Sequence, residues 1–458
     1  GTKMDEITGS SNDEKLSSFF GRATYNFKEK YLIDLTARYD GSSKFASGNR
    51  WAFFPALSIG WRLDKEKFLE KAKWLDMLKV RGSIGQMGNQ AIGNYEYLMS
   101  VLASSSYNYS FGDVLSGGAA IKDFVDENIS WETTTTYNAG LDLTALSGRL
   151  NFSAEFYKKR TEGILRDVKI PAQIGNLNGP KANIGVVAND GMEFSAQWRD
   201  GYKDFRYSIG GNFCYNKNIV VDLNGQEYIS TFNIIKEGEP ISAWYLYQAD
   251  GFYNNYEEIA NSATVGSGVK PGYIRYKDLN NDGKIDDKDR KVSGNLTPSI
   301  TYAFNMSVGW KGLELSAQFQ GVAAVCTYLS GNLAAPFWNG AGVLKEWATD
   351  AWTEENHNAR LPILHTATGA PEMHNYKNTQ WLYDASYLRC KQLQLSWSMP
   401  ERWIKKINMK QCQVFVNGQN LFTFSPLKMF DPEIDLSSTN LIQYPSLKTY
   451  NFGFNITF

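Results

Sequence analysis

A chain of 458 residues and 51.6 kDa with 47 Lys and Arg against 48 Asp and Glu has a net charge of -1, so charge selects no nucleic-acid partner. Phe, Tyr and Trp make up 14% of it, yet the mean hydropathy is -0.39, and no apolar run of about 18 residues is present to form a transmembrane helix. The opening GTKMDEITGSSNDEK lacks the basic-then-apolar layout of a signal peptide, so the expectation is a mature form or fragment whose export signal lies elsewhere.

Period-two alternation dominates the chain. Tyr31, Ile33, Leu35, Ala37 and Tyr39 oppose Asp34, Thr36, Arg38 and Asp40, as on a strand with one apolar face. Helical spacing is best at Asp64 to Met77, where Phe68, Ala72 and Leu75 recur, and predicts a short helical connector. A long link from Gly88 to Ser130 follows. Alternation resumes at Leu141 and Leu143, then over Leu150 to Phe156, Met192 to Trp198 and Tyr207 to Tyr215. In Ile300 to Lys311 the face Ile300, Tyr302, Phe304, Met306, Val308 and Trp310 is unbroken. Beyond the Lys311-Gly312 turn it restarts with Leu313, Leu315, Ala317 and Phe319, which predicts a hairpin. A second long link, Val322 to Asp384, precedes the alternating Leu393 to Met399. The last residues place Tyr450, Phe452, Phe454, Ile456 and Phe458 on one face.

Roughly 13 to 15 such segments, each near the ~10 residues a tilted membrane-crossing strand needs, predict an all-β fold: a transmembrane antiparallel β-barrel over residues 1–458. Short links (Lys28 to Lys30, Ala145 to Gly148, Arg199 to Asp204, Lys311 to Gly312) alternate with long ones, as periplasmic turns alternate with extracellular loops. A soluble sandwich or propeller also alternates, but needs no such asymmetry and no aromatic residues at both strand ends.

The segment Asp278 to Asp289, DLNNDGKIDDKD, carries the most specific chemistry. Asp278, Asn280, Asp282, Asp286 and Asp289 fall at positions one, three, five, nine and twelve of a Ca²⁺-binding loop, with Gly283 at the sharp turn and the Lys284 carbonyl at seven. The flanks are not amphipathic helices, so the expected role is a structural Ca²⁺ staple, set against the plainer reading of an Asn-Asp-Gly turn. His357, His365 and His374 are irregularly spaced and read as loop residues, and four scattered thiols form no Cys motif. No nucleophile elbow, phosphate-cradling loop or paired-carboxylate geometry makes a case for an enzyme. Aromatic residues in the long links (Tyr107, Tyr109 and Phe111, then Phe337, Trp338, Trp347 and Trp352) are candidates for stacking on substrate or a partner, or for packing within the loops.

The residues also resemble a known family, the SusC-like (RagA-like) TonB-dependent transporters of Bacteroidota outer membranes. The matching stretches are YLIDLTARYDGSSKF from Tyr31 with the following FFPALSIGWRL, LKVRGSIGQMGNQ from Leu78, WETTTTYNAGLDL from Trp131 and EGEPISAWYLYQADGFY from Glu237. The acidic loop, SYLRCKQLQLSWSMP from Ser386, NGQNLFTFSPLKMFDPE from Asn417 and the terminal strand complete them. The resemblance implies an importer of glycans or peptides with a SusD-like lipoprotein as lid, driven by TonB, ExbB and ExbD acting on a plug. It implies a barrel of about 22 strands of which this chain is the C-terminal part, the plug and early strands being supplied elsewhere. The aromatic face ending at Phe458 looks like the assembly signal of such barrels. A lidless siderophore or vitamin receptor and a non-transporting adhesin remain alternatives.

Overall fold

The computed structural model describes residues 11–103, 107–121, 123–174, 178–331, 334–340, 342–365, 377–405, 409–433, 435 and 444–458. The alternating segments form strands β1 (Leu16–Phe27), β2 (Tyr31–Ser42), β3 (Trp51–Arg62), β4 (Leu75–Asn89), β5 (Glu132–Ala145), β6 (Leu150–Asp167) and β7 (Lys181–Tyr202). They continue as β8 (Phe205–Asp222), β9 (Ile300–Trp310), β10 (Leu313–Ala323), β11 (Tyr387–Ser398), β12 (Gln411–Gln419) and β13 (Thr449–Thr457). Hydrogen-bonded neighbours follow chain order from β1 to β13, and the short strand Thr423–Phe424 beside β11 completes a 14-stranded sheet. This is the meander expected of an up-and-down barrel wall, each strand returning beside the one before it.

The links keep the predicted asymmetry throughout. Residues 28–30, 63–74, 146–149, 203–204, 311–312 and 399–410 join strands at one end, and 43–50, 90–131, 168–180, 223–299, 324–386 and 420–448 at the other. A two-residue type I′ turn takes left-handed backbone at both central positions, which matches the twist of the strands. Lys311 and Gly312 supply it with φ of 47° and 88°. Exposed aromatic side chains flank these short links, among them Phe27, Tyr31, Trp61, Tyr202, Phe205 and Trp310. A bilayer interface rewards that position, and water alone does not.

The helical connector expected over Asp64 to Met77 is not what forms. A single 3-10 turn, Leu63–Lys65, is followed by turns, and β4 takes Leu75 and Met77 into register with Ala145 and Thr144. The Arg62 guanidinium grips the Asp64 carboxylate at 2.7 Å and the Leu78 amide donates to the same carboxylate at 3.0 Å. Strand pairing and this fork outweigh a helical preference of a few tenths of a kcal/mol per residue (about 0.7 at most). Strands β6, β7 and β8 run to 18, 22 and 18 residues, beyond the segments expected from alternation, because ladder bonds continue past the apolar face.

The chain divides into two compact units. In the first (residues up to Ser147, with 153–192 and 218–226), β1 and β2 pair without interruption from Phe27 and Tyr31 to Leu16 and Ser42. The polar face of its wall carries linked charges: Arg81 reaches Asp142 at 3.2 Å and Glu155 at 2.6 Å, and Asn138 donates to Glu155. Its loop core is Phe45, Phe54, Ile92, Ile129 and Trp131, where the Trp131 indole N–H donates to the Arg50 carbonyl at 2.8 Å.

In the second unit (148–152, 193–217 and 227–458), β9 and β10 pair from Trp310 and Leu313 up to Ile300 and Ala323, as the predicted hairpin requires. Its terminal strand turns Tyr450, Phe452, Phe454 and Phe458 outward, each largely exposed. An edge of that kind is an aggregation hazard in water and is stable against lipid.

Candidate functional site

The two longest links, 223–299 and 324–386, which lie in the second unit from Glu227 on, do not hang free. Tyr228–Ile229, Asn233–Ile235, Ala243–Tyr247 and Arg290–Gly294 form a four-stranded antiparallel sheet. Cys326–Tyr328 pairs with Leu382–Asp384. Burial of Trp244, Leu246, Tyr328, Trp347, Ala351, Leu361 and Trp381 gives this assembly its own core. Such cores offset the entropy of ordering loops of this length.

Three buried polar groups fix the geometry. The Trp244 indole N–H donates to the Cys326 carbonyl at 3.0 Å, tying one link to the other. Asn378 is 0% exposed; its side-chain oxygen accepts from the Gln380 amide at 3.0 Å and its Nδ2 donates to the Tyr276 hydroxyl at 3.2 Å. The Tyr328 hydroxyl, pushed well above the ordinary phenol value by burial, accepts from the Asn378 amide at 3.4 Å. Asn378 thereby caps the Thr379–Trp381 turn and sets the Trp381 ring.

A cavity of about 380 Å³ opens beside that turn, with Phe252, Trp347, Leu361, Trp381 and Tyr383 as its aromatic and aliphatic walls and Glu346, Arg360 and Gln380 as its polar ones. The Trp347 and Trp381 rings lie 6.0 Å apart at 31°. Arg360 is clamped: its Nε donates to Asp350 at 2.5 Å, which holds the Asp350 carboxyl below the usual carboxylate range. Gln380 donates to the Arg360 carbonyl at 2.5 Å. Burial raises the Tyr383 phenol above its ordinary value. A second cavity, about 700 Å³, has Tyr256, Lys270, Tyr273, Trp352 and His365 among its walls.

Within the acidic segment, Asp278 accepts from the Gly283 amide at 2.8 Å, Asn280 from the Asp282 amide at 3.0 Å, and Asp282 from the Lys284 amide at 3.0 Å. The Asn280 amide bond to Asp282 holds the Asp282 carboxyl below its usual range. Gly283 has φ +81°, the left-handed conformation its position requires. Asp286 and Asp289 form a capping box on the turn Asp287–Asp289. Asp289, 0% exposed, accepts from the Leu279 and Asp286 amides at 2.8 Å each. The amides of the loop thus already occupy these carboxylates, and no three His, Cys, Asp or Glu side chains among the described residues converge as a metal group.

The aromatic candidates separate. Trp347 and Trp352, each at most 3% exposed, are walls of the loop core and not free stacking platforms. The Trp352 indole N–H reaches Asn254 at 3.4 Å, and its ring stacks on His357 at 5.4 Å. Phe337 is exposed and Trp338 lies in a short turn, Trp338–Gly340. In the first unit Tyr109 and Phe111 are 65% and 66% exposed with rings 4.8 Å apart, while Tyr107 is half-buried. His365 packs edge-on against Tyr273 and His374 lies outside the described residues.

Sequence reasoning did not single out Trp244, Trp381 or Asn378. Trp244 stood inside the EGEPISAWYLYQADGFY stretch, and an Asn three residues before a Trp is a capping signal that passes unnoticed in a polar link. It also missed Arg389, which is buried and forks onto Asp431 and onto Glu433 at 2.6 Å, tying the link 420–448 to β11.

Residues 4–421 match the family model described as TonB dependent receptor-like, beta-barrel. The chain is 32% identical over 471 residues to the TonB-dependent receptor P3 of Formosa agariphila, covering 98% of this chain and 46% of that protein. It is 30% identical over 469 residues to the TonB-dependent receptor SusC of Bacteroides thetaiotaomicron, covering 100% and 45%. The solved RagAB peptide transporter superposes with a TM-score of 0.78 at 26% identity, covering 97% of this chain and 48% of that one. The chain therefore spans about half the length of the relatives it matches. With a meandering sheet whose apolar faces suit a bilayer, asymmetric links and a family match over most of its length, the chain belongs to the TonB-dependent receptor-like β-barrels of the outer membrane.

Proposed function

We propose that this chain forms barrel wall and surface loops of a TonB-dependent importer of glycans or peptides that works with a SusD-like lipoprotein lid and draws energy from TonB, ExbB and ExbD. The observation that supports the reading is the joined fold of the links 223–299 and 324–386, which builds concave aromatic and polar walls of the kind a ligand site needs. The charged face of the wall, with Arg81, Asp142 and Glu155 linked, suits passage of a hydrated cargo. Catalysis has no part in this reading. The test is growth and uptake on single glycans and on peptides in a deletion strain with and without TonB, together with purification of the intact transporter. Loss of uptake of one nutrient class and a co-purifying lipoprotein support it; unimpaired uptake of every nutrient refutes it.

The Ca²⁺ reading of the acidic loop is likewise a proposal. Asp278, Asn280, Asp282, Asp286, Asp289 and the Lys284 carbonyl would hold the cation, with the Asp289 carboxylate also accepting from the Leu279 and Asp286 amides. The spacing and the turn at Gly283 support it, and the ion would neutralise carboxylates that otherwise repel one another.

A further inference from the structure

Across β8 to β13 of the second unit the strand register builds two polar rows with no charge in either. One row sets Ser208, Ser307, Ser316, Gln394, Asn417 and Asn451 side by side. Two residues further along each strand, towards the long links, the next sets Gly210, Asn305, Gln318, Gln392, Gln419 and Thr449 side by side. Between them on the opposite face lie Ile209, Met306, Ala317, Leu393, Gly418 and Tyr450, an apolar row suited to lipid, so the two polar rows face away from the bilayer. With strands about 4.8 Å apart, the band they form is roughly 24 Å wide.

Charge returns at both borders. Arg206 and Glu314 stand in the next row towards the short links, and Arg389, held by Asp431 and Glu433, stands in the next row towards the long ones. The polar face of the first unit has another composition, since Arg81, Asp142 and Glu155 are linked on it.

The band is also without large apolar side chains. A stable contact between folded protein surfaces is built round an apolar centre closed off from water. Here the exposed side chains are the amides Asn305, Gln318, Gln419 and Asn451. Others are satisfied within the band: the Ser208 and Ser307 hydroxyls lie 3.0 Å apart, and Asn417 Nδ2 donates to Gln394 at 3.2 Å. Amides and hydroxyls both donate and accept, and exchanging one such partner for water changes the free energy by only about 0.5–1.5 kcal/mol. Fixed charges on a pore wall, in contrast, select or hold what passes by its sign. Contacts on this band are therefore easily made and easily left, which suits a wet passage and not a permanent dock.

We propose that the charge-free band is a wall of the aqueous passage along which cargo moves, and that it is not the seat of the plug. This rests on the import reading and adds to it the part of the wall that the cargo passes.

The test uses the intact transporter in cells. Asn305→Cys and Gln318→Cys each replace an exposed side chain and leave the ladder hydrogen bonds in place. Cells are treated with a small membrane-impermeant maleimide; Asn261→Cys, exposed in link 223–299, gives the rate for an open surface, and the parent protein gives the blank for native thiols. Both band cysteines should react at a rate close to that of Asn261→Cys. Labelling them should lower uptake of the nutrient that a deletion strain loses by about tenfold, while the unlabelled variants keep it. Cysteines that stay unlabelled in the folded transporter show the band covered by protein and overturn the proposal. Labelling that leaves uptake intact overturns it too, because the cargo then passes elsewhere. Import itself stands in both of those cases, whereas a deletion strain with undiminished uptake of every nutrient refutes import and the passage with it.

Discussion

Phe415 on β12 lies against Gly453, its register partner on β13, so closely that a Cβ on Gly453 would sit 2.5 Å from the ring's Cζ. The same relation joins Tyr302 to Gly321 and Trp51 to Gly41, each with a Cβ-to-ring approach of 2.6 Å. An aromatic ring resting on a glycine covers backbone that a pleated wall would otherwise leave bare, and it pins the register of the pair.

Gly453→Ala should therefore cost about 1–3 kcal/mol by overpacking, since the ring must leave its place over the backbone to admit a Cβ. The midpoint of the heat-induced mobility shift of the barrel on a gel should fall. Phe415→Leu combined with Gly453→Ala should recover most of that loss; equal midpoints for wild type and Gly453→Ala would contradict the argument.

Arg389 offers a second test. It is buried, forks onto Asp431 and Glu433 and donates to Thr423 at 2.9 Å, while Lys391 also reaches Glu433. Arg389→Leu takes the cation from the nearly buried Asp431 and leaves Glu433 to Lys391 alone, and breaking a buried pair in this way typically costs about 3–5 kcal/mol. Protease cleavage within the link 420–448 should become rapid. Arg389→Lys should rescue little, because one ammonium cannot serve both acids in the fork geometry.

Asp289 should decide whether the acidic loop has its shape without metal. Its carboxylate takes the Leu279 and Asp286 amides, so Asp289→Ala leaves two amides unmatched at about 1–3 kcal/mol apiece. Limited proteolysis should show cutting between 278 and 289 in that variant. In the wild type, millimolar Ca²⁺ should slow cutting there and a chelator should restore it; identical rates with and without Ca²⁺, and no calorimetric heat, would defeat the calcium reading.

The pair Asp350 and Arg360 makes one acid-sensitive tie at the edge of the loop core. The Arg360 hydrogen bond depresses the Asp350 carboxyl in the folded loop below the ordinary 3.8. A depressed acid contributes stability that is present above the unfolded value and is lost as pH falls below 3.8 through the folded one. Hydrogen exchange of the 345–361 backbone should accelerate on acidification through that window, and Asp350→Asn should flatten the response.

Much of this was legible in the alternation. A strand's side chains repeat every second residue, so Ile300 to Trp310 and Tyr450 to Phe458 declare their faces wherever they are read. The asymmetric links and the left-handed Lys311-Gly312 turn follow from the same chain-local rules. The acidic loop's spacing was legible, but not that Asp289 would be buried on two amides. Nor could Asp64 to Met77 be read correctly, because the register of Leu75 and Met77 with β5 outvoted its local pattern.

The sequence by itself determined the strand wall, the end at which the long links emerge and the family, since these depend on local period, turn chemistry and segment order. Only the tertiary structure decided that Trp347 and Trp352 are core and not platforms, and that the buried Trp381 N–H meets no acceptor among the described residues. The reason is physical: contacts such as Trp244 with Cys326, or Asn378 with Tyr276, join residues far apart in the chain. An unmet donor is a property of what surrounds a side chain, and no periodicity along the chain records it.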